Sequence, residues 1–203
     1  MVVWRLLYPL RYFRLQNAEK KSIDWIATMV LTAAIACPFV LIPGSVFFKN
    51  GGFLDKIITL TSALTGFYVA ALVAAATFSH PDLDKTITAG PIALITKDAD
   101  GTKVSEALTR REFVCTIFGY LAFLALVMSV LSSIAIGMSD ADFFKAHSND
   151  SFVWYGSRIG VILFSVMAGH LVVATSLGLY YLMDRLYRRD RQIATKKNDR
   201  AAA

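Results

Sequence analysis

Four stretches of the chain contain no Asp, Glu, Lys or Arg: Trp25 to Ile42, Ile57 to Phe78, Phe113 to Ile136 and Ile159 to Met183. Each approaches or exceeds the roughly 20 apolar residues that a helix needs to cross hydrocarbon. The pattern predicts an all-α integral membrane protein with four transmembrane helices. It divides the chain into a basic, aromatic interfacial segment (1–23), a first transmembrane hairpin (24–78), a polar loop (79–112), a second transmembrane hairpin (113–183) and a basic tail (184–203). The tail is expected to extend the fourth helix as a basic stalk and to lose order toward its end, where apolar periodicity stops.

Within the second run, Gly66, Ala70 and Ala74 recur at every fourth position, with Ala63, Ala71 and Ala75 beside them. One side of this helix is thereby reduced to small residues, which lets another backbone approach closely, and it marks the second span as the packing hub. The fourth run offers two similar places, a Gly156/Gly160 pair at one end and an Ala174/Gly178 pair at the other. These positions are read as contacts between helices of one chain or between copies in a homo-oligomer. Pro38 predicts a bend in the first span, because proline removes one helical hydrogen bond. The connection from Pro43 to Asp55 carries Gly44, Gly51 and Gly52 and suits a tight reversal.

Charge adds orientation. Of the 21 Lys and Arg, five precede the first span, five lie between the second and third, and seven follow the fourth; only Lys49, Lys56, Lys145 and Arg158 fall on the opposite side. The positive-inside rule therefore puts both termini and the 79–112 loop in the cytoplasm. The net charge of +6 then sits on the cytoplasmic face, where it favours anionic lipid head groups; no direct nucleic-acid binding is expected. Cys37 and Cys115 lie in different spans at different depths, too far apart for a disulfide within one subunit, and read as apolar packing residues.

Candidate chemistry is sparse. His170, near the middle of the fourth run, is the one ionisable side chain at hydrocarbon depth, and such a group faces protein or water rather than lipid. It suits either an interhelical hydrogen bond or a proton-linked gating role. Ser129, Ser132 and Ser133 fall at i, i+3 and i+4 of the third run, either bonding to neighbours or lining a pore. In the loop, Ile92 to Ile95 followed by Asp98-Ala99-Asp100-Gly101 suggests a small β-hairpin. His80, Asp82, Asp84, Lys97, Lys103, Arg110 and Arg111 are the loop residues best suited to engaging a soluble partner. The histidines are scattered, and no nucleophile with its base, metal cluster or phosphate cradle is recognisable; the reading is a non-enzyme without cofactor or metal.

The segments LTGFYVAALVAAATF (64–78) and LTRREFVCTIFGYLAFLAL (108–126), separated by a loop of this size, resemble the KwaA family, the four-span membrane subunits of the Kiwa bacterial anti-phage defence system. The resemblance covers about a sixth of the chain and rests on apolar and small residues. It implies a homo-oligomer, a tetramer, in the bacterial inner membrane, which responds to phage infection and binds a soluble cytoplasmic partner that acts on nucleic acid. It brings no catalytic residues. A channel or pore-forming effector is the alternative expectation. A small transporter would need an intramembrane coupling group that only His170 could supply.

Overall fold

The computed structural model describes residues 8–16, 18–42, 46–77, 93–97, 103–140 and 150–201. A short 3-10 helix, Tyr8–Arg14, runs into a two-residue strand β1, Leu15–Gln16, and then into α1, Ala18–Leu41. Helix α2 spans Phe53–Thr77; strands β2 (Ala93–Lys97) and β3 (Lys103–Ala107) follow; α3 covers Arg110–Asp140 and α4 covers Asp150–Ala201. All four helices are long and apolar enough to cross a membrane, over Asp24–Leu41, Phe53–Thr77, Arg110–Ser139 and Tyr155–Tyr180. The chain is thus a helical, multi-pass protein of membrane-spanning type. Trp25, Ile26, Leu60, Phe67, Val130, Ile134, Ile162 and Leu163 point away from the bundle, an arrangement that hydrocarbon favours and water penalises.

The helices are joined in the order α2, α3, α4, α1: α3 packs on both α2 and α4, and α1 lies along α4 rather than along its chain neighbour α2. This corrects the expectation that the second span is the hub. Within one chain α2 is the least buried of the four spans, whereas α3 and α4 are the most buried. The main core is accordingly an α2/α3/α4 cluster built on Tyr68, Phe113, Ile117, Leu121, Met128 and Leu171. A second cluster at the far end gathers Phe39, Phe47, Phe53, Leu54 and Phe164, with Phe39 5.0 Å from both Phe47 and Phe53 between ring centroids.

That aromatic end depends on a tight reversal. Gly51 adopts φ 78°, a left-handed conformation that costs glycine little, and Gly52 donates its N–H to Lys49 O at 2.8 Å. A Cβ on Gly52 would lie 2.8 Å from that same carbonyl oxygen, so the turn closes only because neither residue has a side chain. Ser139 at the end of α3 donates to Phe48 O at 2.8 Å and ties the reversal to the bundle.

At the opposite end, β2 pairs antiparallel with β3, with Ala93 opposite Ala107 and Lys97 opposite Lys103, and β1 pairs with the other edge of β2 through Leu15 opposite Leu94 and Gln16 opposite Ala93. We call this the strand end. The Asp98 to Gly101 turn lies outside the described residues. Helix α4 continues as one helix to Ala201, beyond the point where the sequence suggests loss of order; its Arg, Lys, Gln and Ala residues are strong helix formers even without an apolar face.

Helices α1 and α4 approach closely at Gly169. A Cβ on Gly169 would meet Thr32 N and Thr32 Oγ1 at 3.2 Å and Thr28 O at 3.3 Å, whereas one on Gly137 would meet nothing within 4 Å. Gly169→Leu should therefore force α1 off α4 and cost about 1–3 kcal/mol, while Gly137→Leu should be near neutral. Thermal unfolding of the detergent-solubilised protein checks the pair; equal melting of the two variants would contradict the crossing.

Candidate functional site

The feature of the strand end that sequence alone does not anticipate is a ring cluster around His170. Helix α4 carries His170 half-buried, and α3 brings Tyr120 to 5.7 Å from it between ring centroids. The 3-10 segment supplies two more rings: Phe13 lies parallel to the imidazole at 5.9 Å and Tyr12 meets it edge-on at 6.2 Å. Tyr12 is itself only 4% exposed, stacks on Tyr120 at 4.4 Å with the planes 5° apart, and donates its hydroxyl to Asp24 Oδ2 of α1 at 3.4 Å. Three rings thus surround an imidazole, the one side chain whose ordinary titration falls near neutral pH. The N-terminal segment, read above as an interfacial stretch, is docked on α3 by this contact.

From Asp24 a polar seam runs along the α1–α4 interface. Asp24, Thr28 and Thr32 occupy one face of α1 at intervals of four, and Ser165 is buried on α4 one turn before the Gly169 crossing. The hydroxyls of Thr28, Thr32 and Ser165 are buried without a hydrogen-bond partner among the described residues. Spacing of four between Asp24, Thr28 and Thr32 was the sequence signal for this seam.

Two hydroxyl pairs fasten the other helices. Thr61 of α2 and Ser129 of α3 share a hydrogen bond of 2.7 Å. Tyr68 of α2 reaches Thr175 of α4 at 2.6 Å; because Thr175 already donates to Leu171 O, the phenol is the donor. Beside this bridge α2 and α4 leave a cavity of about 190 Å³, lined by Ile57, Leu64, Tyr68, Met128, Leu171 and Thr175 among others.

The serines of α3 do not act as one row. Ser129 bonds to Thr61, Ser132 is completely buried inside the chain, and Ser133 is exposed and donates back to Ser129 O at 2.8 Å. The small residues also separate into two sets. Gly160 abuts the Phe48 ring, Ala174 is buried and Gly178 sits under Ile117, all within the chain. Gly66, Ala70, Ala74 and Gly156 are exposed, and a Cβ on Gly66 or Gly156 would meet nothing within 4 Å.

Of the residues assigned to partner engagement, His80, Asp82 and Asp84 lie outside the described residues. Lys97 and Lys103 are register partners at the end of the β2–β3 pair. Arg111 donates to Ala76 O at 3.0 Å, so it satisfies a carbonyl in the last turn of α2. Arg158 does the same for α1 by donating to Val40 O. Thr109 and Glu112 form a reciprocal capping box at the start of α3: Glu112 N donates to Thr109 Oγ1 at 3.2 Å and Thr109 N to Glu112 Oε2 at 3.0 Å. The T-x-x-E pattern before the third apolar run carried that signal. Among the described residues no three His, Cys, Asp or Glu side chains come together as a metal site.

Comparison with known proteins adds no relative: no protein-family model, no curated protein and no solved structure matches the chain.

The Tyr68–Thr175 bridge is the polar contact that links α2 to α4. A double-mutant cycle of Tyr68→Phe and Thr175→Val, read by unfolding in detergent, should return a coupling of about 0.6 kcal/mol, the usual size of an interhelical hydrogen bond in a membrane. Additive effects of the two substitutions would contradict the bridge.

Proposed function

We propose that the chain is a non-enzymatic subunit of a homo-oligomer in the bacterial inner membrane, with both termini and the strand end in the cytoplasm, and that the oligomer engages a soluble cytoplasmic protein. The observation that carries this reading is the unpartnered small face of α2. Gly66, Ala70 and Ala74 contribute little to packing within the chain, yet they form a continuous stripe on the surface that would face lipid. In hydrocarbon no hydrophobic force drives helices together, so close van der Waals approach through small residues is what association relies on. A second copy supplies such an approach; acyl chains do not.

The orientation follows the charge count, and the strand module with Lys97, Lys103 and the basic extension of α4 then forms the cytoplasmic face. Resemblance of residues 64–78 and 108–126 to the KwaA family supports the more specific proposal: a tetrameric membrane component of an anti-phage system that responds to infection and passes the response to its cytoplasmic partner. Residues 64–77 are the half of α2 that presents the exposed stripe, and residues 108–126 include the capping box and Tyr120.

A second reading, a pore formed by the oligomer, is favoured by one observation. Thr59 and Ser62 are exposed on the same side of α2 as Gly66, so α2 gathered around an axis would turn hydroxyls toward it. The α3 serines no longer carry that reading, since Ser129 and Ser132 are occupied or buried inside the chain.

Gly66→Leu and Ala70→Leu should lower the mass of the complex extracted in mild detergent toward that of the single chain, with little change in melting; an unchanged mass in both would remove the α2 interface. Lys97→Glu with Lys103→Glu should weaken co-purification of the soluble partner without altering oligomer mass, and full retention would remove the strand end as the docking face. Ion flux from the purified protein in liposomes, lost in Ser62→Leu, would favour the pore over the partner-engaging subunit.

A further inference from the structure

The 3-10 segment Tyr8–Arg14 belongs to two structures at once. At its C-terminal end the backbone continues without a break into β1, which pairs with β2 in the module between α2 and α3. On its other side it places Tyr12 against Tyr120 and Asp24, and Phe13 over the imidazole of His170, at the junction of α1, α3 and α4. We infer that this segment is a releasable latch: it couples the state of the strand module to the packing around His170, so that whatever loosens one loosens the other.

The way the segment is held supports release rather than permanent anchorage. Its attachment is narrow: Tyr12 is buried and Leu10 packs on the core, while Tyr8 and Phe13 are 63% and 64% exposed. The Tyr12 hydrogen bond to Asp24 is long, at 3.4 Å, and β1 contributes only two residues of pairing. A two-residue ladder and two largely exposed rings put a segment among the first parts of a protein to open.

Two consequences follow from the covalent continuity of the latch. Withdrawal of Tyr12 removes the ring that stacks on Tyr120 and takes one hydroxyl donor from Asp24 beside the Thr28–Thr32 seam. Separation of β1 from β2 removes the restraint that keeps Tyr12 in place. By linkage the two effects are reciprocal: a ligand that binds the strand module with β1 displaced also favours the state in which His170 has lost its ring neighbours. This coupling is independent of whether the oligomer serves defence, and it holds for a single chain.

The test uses the full-length protein in lipid nanodiscs and two readouts. The first is the imidazole resonance of His170, assigned by its loss in His170→Gln and shifted by the ring currents of Phe13, Tyr12 and Tyr120. The second is amide hydrogen exchange over 93–97. Leu15→Pro with Gln16→Pro removes both backbone N–H groups of β1, including the one that its antiparallel pairing turns toward β2, and changes none of the rings around His170; it should move the His170 signal toward that of free imidazole. Tyr12→Ala acts at the ring cluster and at Asp24 and leaves the β1 backbone unaltered, and it should speed exchange over 93–97 by at least tenfold. Tyr12→Phe, which keeps the ring and loses the hydroxyl, should speed it about threefold and serves if the alanine variant does not fold. An unmoved His170 signal in the β1 variant, or exchange within twofold of the parent in the Tyr12 variants, would overturn the latch.

Discussion

The packing of α3 between α2 and α4 is the contact on which the rest of the structure depends. Met128, Leu121 and Ile117 on α3 fill the space left by Gly178, Ala174 and Leu171 on α4, and Tyr68 closes the cluster from α2. In lipid this contact gains nothing from excluding water; it is held by van der Waals fit and by a few hydroxyl pairs, notably Thr61 with Ser129 and Tyr68 with Thr175. Everything else is placed relative to it. Helix α1 packs along α4, with a close approach at Gly169, and meets α2 through Phe39 against Phe53; the N-terminal segment reaches the bundle through Tyr120 of α3.

The four spans were legible because lipid imposes a simple rule, that a helix in hydrocarbon excludes charge for its whole length, and the charge-free runs obey it. That rule marks the part in hydrocarbon and not the helix itself. Hence α1 begins at Ala18, before the first run, and α4 continues to Ala201, since Glu, Lys and Arg form helix well in water. The order of neighbours was not legible. Gly66 and Gly178 belong to similar small-residue pairs in the sequence, but Gly178 has Ile117 against it and Gly66 has nothing. A small residue shows that something can come close without showing whether it comes from the same chain.

The same ambiguity explains the candidate site. His170 stood out as an isolated ionisable group, and its position in α4 was readable. Its surroundings were not, because Tyr12, Phe13 and Tyr120 are brought to it by contacts distant in sequence. The aromatic residues of the first segment looked suited to the head-group layer, and one of them, Tyr12, proves to be buried. The serines of the third span were legible as a face and misleading as a unit, since 0.6 kcal/mol hydrogen bonds of the Thr61–Ser129 kind are enough to divert one member toward a neighbouring helix.

In the proposed oligomer the two sides of α2 have different tasks: Tyr68 and Thr61 hold it to its own chain, and Gly66, Ala70 and Ala74 meet another. The most direct test is disulfide trapping in native membranes, with single cysteines at Ala70, on the stripe, and at Val130, exposed on α3, each in a chain whose Cys37 and Cys115 are replaced by Ala. Mild oxidation should join Ala70→Cys chains into covalent dimers and leave Val130→Cys chains single. Dimers at Val130→Cys with none at Ala70→Cys would contradict the account.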